Sequence, residues 1–292
     1  MELELKRGGR TARVETLGGE LVSYRDERGL EYIWGGDPAY WPGRNPLLFP
    51  IVGMLKEGKI RFDGREYAME RHGFARRREF TPAARGEDWV RLELRESAET
   101  LALYPYSFRL AVEQRLTDTG FSTAVTVANP GEGPLPFCLG AHTGFRCPLE
   151  AGERFEDYEL VFPERESCPT LLLRDGLLDR PAALPCLEDT DTLPLDYRWF
   201  DALDPLIFEG LRSRSVTLRS RKSGRGVRVS FDGFPMLAFW TMPGKKAPYL
   251  CIEPWHGCAA GTAEGPEFTD KAHCIVLAPG ESRTLAYRAD TL

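Results

Sequence analysis

Four short segments set residues able to move protons or bind charge in apolar surroundings. In Trp41-Pro-Gly-Arg-Asn-Pro-Leu-Leu-Phe-Pro50, Arg44 stands among prolines, aromatics and leucines. An unpaired charge is costly there, so this guanidinium calls for a carboxylate or a polar ligand. In Arg71-His-Gly-Phe-Ala-Arg76, Gly73 allows close backbone approach beside His72. In Leu135-Pro-Phe-Cys-Leu-Gly-Ala-His-Thr-Gly-Phe145, small residues around His142 leave room for a ligand to reach the ring. Cys251-Ile-Glu-Pro-Trp-His-Gly257 ends an apolar run with Glu253, and Pro254 and Trp255 beside it desolvate the carboxylate and raise its pKa, an effect that Arg44 would oppose. A carboxylate and an imidazole with pKa values brought near the working pH make a general acid–base pair.

Each segment also has a plainer use, since a histidine in an apolar strand is usually a satisfied core or surface residue and a Glu before Pro can simply end a strand. Together they outweigh it: two of only four histidines, an arginine and a carboxylate share glycine-, proline- and aromatic-rich settings. His256 and His273 lack that setting as clearly and are expected to be structural.

Strands must position these groups. Apolar and polar residues alternate over Trp89 to Arg95, Phe108 to Leu116 and Phe121 to Val127, the pattern of half-buried antiparallel strands. Val216 to Arg219 and Val227 to Phe231 flank Lys222-Ser-Gly-Arg-Gly226, whose glycines suit a hairpin loop. Further strands are expected at Glu31 to Trp34, Lys59 to Phe62, Leu237 to Trp240, Tyr249 to Ile252 and Ser282 to Tyr287, with helix confined to short pieces such as Ala98 to Leu103. Many short strands without intervening helices predict two packed antiparallel sheets, in one domain over residues 1–292.

Among 292 residues, 38 basic and 44 acidic side chains give a net charge of −6, which argues against nucleic acid as a partner. Basic residues between Arg212 and Arg228 are expected to be the solvated face of the hairpin. The N-terminal ten residues lack the apolar core of a signal peptide, and the longest mostly apolar stretch, Pro46 to Leu55, is about half of the ~20 residues that span a bilayer. No membrane contact is expected. Seven scattered cysteines without a C-x-x-C pair suggest reduced thiols and a cytoplasmic location.

The ordered series Arg44-Asn-Pro with Leu48-Phe-Pro50, His72-Gly-Phe-Ala-Arg76, Gly140-Ala-His-Thr-Gly-Phe145 and Ile252-Glu-Pro-Trp255 resembles the aldose 1-epimerase (galactose mutarotase-like) family, most closely its bacterial branch ending in Glu-Pro-Trp. The resemblance implies a large antiparallel β-sandwich with an open sugar cleft, and cofactor-free interconversion of α and β anomers of an aldose. It implies Glu253 as general base on the anomeric hydroxyl and His142 as general acid toward the ring oxygen. His72 and Arg44 would hold the sugar and share developing charge. Asp204 matches the family's substrate-binding aspartate, although Asp201 lies close by. Thr143 stands where the family usually has proline, which bears on the geometry of the His142 loop. Sugars present apolar C–H faces, so Trp240, Trp255 and Phe74 are candidate cleft walls.

Four other readings compete. A metal site on His72, His142 and Glu253 would need a compact ligand motif, which the sequence does not display. A hexose-6-phosphate epimerase would use Arg76, with Arg77 and Arg78, on the phosphate. A noncatalytic carbohydrate-binding protein would keep the cleft without the chemistry; both histidines and Glu253 argue against it. A glycosidase would require two carboxylates where the motifs supply one. The expectation is a free-aldose epimerase without metal or organic cofactor, monomeric or homodimeric, whose partner is a small sugar.

Overall fold

Alternation produces strands along most of the chain in the computed structural model, which describes residues 1–292. Trp89–Arg95, Arg109–Leu116 and Gly120–Ala128 lie side by side in antiparallel register, each with one face buried. Ser215–Ser220 and Gly226–Ser230 form the expected hairpin. Lys59–Phe62, Met236–Trp240, Tyr249–His256 and Ser282–Thr291 are strands as well. The whole is all-β and antiparallel.

The long strand Tyr158–Arg174 joins two sheet regions. Through its start it pairs with Ser215–Ser220, and the sheet continues through Gly226–Ser230, Ser282–Thr291 and Gly120–Ala128 to Thr81–Arg85. Near its end, Leu171 pairs with Ile207, and from Leu206–Glu209 the sheet runs through Met236–Trp240 and Tyr249–His256 to Leu139–Ala141 and Leu47–Leu48. A contiguous apolar core fills the space they enclose, with Phe49, Phe108, Phe137 and Tyr104 fully buried.

Several elements depart from expectation. Glu31 to Trp34 is no continuous strand, because the Glu31 carboxylate accepts from the N–H groups of Tyr24 and Ile33, leaving only isolated pairings of Glu31 with Arg25 and of Ile33 with Phe145. The helix near Ala98 stops at Leu101, started by reciprocal bonds between Ser97 and Thr100. Tyr158–Arg174 and Leu177–Pro194 form a long hairpin that alternation does not reveal, because its register shifts four times. A second helix, Tyr197–Leu203, is capped by Asp196.

The basic cluster is a solvated, ion-paired face: Arg219 meets Glu159, Lys222 meets Asp157 and Arg225 meets Glu150. All seven cysteines are free thiols, and no helix is long and apolar enough to cross a membrane.

Candidate active site

The strand Tyr249–His256 forms the floor of the site. Successive side chains in a strand alternate between faces, so Tyr249, Cys251, Glu253 and Trp255 share one face. Thr143 pairs with Ile252 on the adjacent strand, which brings His142 beside Glu253. Thr143 also fixes the loop: its hydroxyl and that of Tyr287 both donate to Asn45 Oδ1, at 2.7 and 3.0 Å. The hydroxyl supplies an anchor that a proline would lack.

His72 arrives from a tight turn. His72 and Gly73 are both left-handed, with φ of 67° and 69°, and a Cβ on Gly73 would lie 2.2 Å from the Phe49 carbonyl oxygen. Glycine is therefore required there. The Gly53 N–H donates to His72 Nδ1 at 3.1 Å. That bond leaves the proton of the neutral ring on Nε2. Burial, with His142 and Arg76 nearby, holds the His72 pKa well below the usual histidine value, so the ring is a neutral donor.

These groups open on a cleft of about 610 Å³, the size of an ordinary small-molecule site. At its base, His142 Nε2 lies 3.3 Å from Glu253 Oε2, a close approach that lacks hydrogen-bond alignment. The His142 ring stacks on Trp41, with centroids 4.8 Å apart, and meets His72 and Trp240 edge-on at 5.7 and 5.6 Å. Burial pushes the Glu253 carboxyl well above its ordinary value, opposed by the Trp255 indole and reinforced by the charge of Asp204. Burial pushes His142 down, and Arg76 and Arg71 push it further. Both members of the pair are thus driven toward their neutral forms. His142 Nδ1 is buried without a protein partner.

Asp204 lines the cleft and accepts from Trp240 Nε1 at 2.7 Å, whereas Asp201 accepts from the Gly244 N–H and does not line it. Trp240, Trp255 and Arg76 also lie on its wall. Two expected residues do not. Arg44 turns to Glu15, at 3.5 Å, and to the Gly35 carbonyl. Its charge finds the carboxylate that its apolar neighbours demanded, on the far side of the segment. Phe74 is 5% exposed and packs on Phe49 and Phe108, in the core rather than the cleft.

Sequence reasoning missed Trp41, Arg71 and Met54, all on the cleft wall. Trp41 opens the same segment as Arg44, and its aromatic character was the available signal. The three-arginine run divides. Arg77 and Arg78 pair with Glu70 and Glu99 at the surface, while Arg76 turns into the cleft, and neither Arg76 nor Arg71 has a carboxylate partner. His256 and His273 are structural, with His256 Nδ1 on the His273 carbonyl and His273 on Glu209.

Comparison with known proteins agrees with this architecture. The chain is 41% identical over 295 residues to the plasmid-borne protein LacX of Lactococcus lactis subsp. lactis, covering 98% of each. A galactose mutarotase related enzyme from Lactobacillus acidophilus superposes with a TM-score of 0.95 at 27% identity, covering 100% of this chain and 97% of the other. A galactose mutarotase-like protein from Lactobacillus casei ATCC 334 gives 0.93 at 27%, with full coverage of both. The fold is therefore the galactose mutarotase-like β-sandwich. Residues 1–289 match the family described as aldose 1-epimerase, and the chain belongs to that family.

Proposed function

We propose that the protein interconverts the α and β anomers of a free aldose by general acid–base ring opening and closure. One observation carries this reading: a carboxylate and an imidazole 3.3 Å apart at the base of a tryptophan-walled cleft. Opening a cyclic hemiacetal removes the proton of the anomeric hydroxyl and delivers one to the ring oxygen. Both oxygens are bonded to C1, so base and acid must stand side by side, as Glu253 and His142 do. The reactive form is the ion pair, the minor form that burial disfavours at rest: ionised Glu253 takes the hydroxyl proton while protonated His142 gives its own to the ring oxygen, and the carbonyl forms as the C1–ring oxygen bond breaks. The pair is then neutral, the direction that burial favours. Rotation about C1–C2 presents the other aldehyde face, and both proton transfers reverse on closure. His72 Nε2–H donates to the sugar, Asp204 accepts from its hydroxyls, and Trp41 and Trp240 cover its apolar face.

A second reading, a hexose-6-phosphate as substrate, is favoured by Arg71 and Arg76, cations of the cleft wall without carboxylate partners. Guanidinium groups are the natural partners of a phosphate. NMR exchange or polarimetry on freshly dissolved α-anomers of several aldoses and their 6-phosphates tests both. Accelerated exchange of a free aldose is expected, with Arg71→Ala and Arg76→Ala affecting both substrate types alike. Exchange accelerated only for a 6-phosphate, and lost selectively in those variants, would replace the first reading by the second. No acceleration for any sugar would remove the catalytic reading.

A further inference from the structure

A compact metal-ligand set absent from the sequence assembles in three dimensions from two residues of the strand Tyr249–His256 and one that immediately precedes its partner strand. We propose that the floor of the cleft binds a thiophilic divalent cation, Zn²⁺ by chemical class, on His142, Cys251 and Glu253, in competition with the sugar. One ligand atom from each residue lies within 4.8 Å of the others, and all three side chains are buried. The register explains the cluster: Cys251 and Glu253 are two apart on one strand face, and His142 is held beside them by the pairing of Thr143 with Ile252.

Imidazole, thiolate and carboxylate form a three-ligand set of the kind zinc takes, and two of the three, His142 and Glu253, line the cleft. The sulfur selects against Mg²⁺ and Ca²⁺, which take oxygen ligands. Charge balance favours occupancy, since two anionic ligands neutralise a dication and the buried site ends with no net charge. The protons of the Cys251 thiol and the Glu253 carboxyl leave to solvent, and no electron changes hands. His142 Nδ1 and Glu253 Oε2 have no protein hydrogen bond to surrender. Bound metal would take the lone pairs that serve the anomeric hydroxyl and ring oxygen, making it an inhibitor. That consequence rests on the proposed acid–base pair, whereas binding does not.

The test is titration of chelator-treated protein with Co²⁺, followed by Zn²⁺ displacement, in wild type, Cys251→Ser and Cys258→Ser. Thiolate-to-cobalt absorption at one equivalent is expected in wild type and Cys258→Ser and absent in Cys251→Ser, which should bind Zn²⁺ at least tenfold more weakly. Glu253→Gln, nearly isosteric, should also weaken binding and serves if Cys251→Ser does not fold. Absence of thiolate–cobalt absorption in wild type, or equal Zn²⁺ affinity in wild type and both site variants, would overturn the site. Cobalt absorption in a protein without epimerase activity would support the site while defeating the catalytic reading, and full activity without that absorption would do the reverse.

Discussion

Replacing Glu253 by Gln should lower activity and raise stability in one step. The residue is 1% exposed, and the amide has almost the same shape. What disappears is the ability to accept the anomeric proton. A positioned general base contributes about 10²–10⁴-fold, so kcat should fall by at least about 10², equivalent to roughly 2.7 kcal/mol of barrier. Stability moves the other way because burial raises the folded-state pKa of Glu253 above its ordinary value of 4.5. Between that value and the raised one, the unfolded chain releases a proton that the folded protein keeps. Wild type therefore loses stability as pH rises through this window. Gln does not titrate, so its advantage should be small below pH 4.5, grow as pH rises above it, and level off beyond the folded pKa. Anomer exchange by NMR reads the first effect, and thermal unfolding across pH reads the second at about 2–4 °C per kcal/mol. A folded variant with wild-type turnover would refute Glu253 as the base. A variant less stable than wild type at neutral pH would refute the account of its burial.

Phe74→Ala should destabilise the protein by about 3–5 kcal/mol, measured by urea unfolding, because it empties a core position between Phe49 and Phe108 rather than stripping the cleft. A change in sugar KM without loss of stability would return Phe74 to the cleft wall. Arg44→Ala should leave kcat and KM within about threefold of wild type, since its partners are Glu15 and the Gly35 carbonyl, and such a half-exposed pair is worth about 1 kcal/mol or less. A tenfold or larger rise in KM would show that Arg44 reaches the sugar after all.

Local alternation made the strands at Trp89–Arg95, Arg109–Leu116 and Gly120–Ala128 legible, because a half-buried strand writes its two faces directly into the sequence. The motifs around His72, His142 and Glu253 likewise declared residue types suited to proton transfer, and the positive φ at His72 and Gly73 accounts for the His-Gly step. The direction of a long side chain is not local information. Arg44 and Arg76 stand in similarly mixed segments, yet one turns to Glu15 and the other into the cleft, because distant strands place a carboxylate beside only the first. Phe74 follows the core for the same reason: its neighbours Phe49 and Phe108 arrive from elsewhere in the chain. The Tyr158–Arg174 hairpin was hidden by register shifts that break the two-residue period. The catalytic distance itself belongs to tertiary structure. Glu253 and His142 come within 3.3 Å only because Thr143 pairs with Ile252, and that register is set by the packing of whole strands.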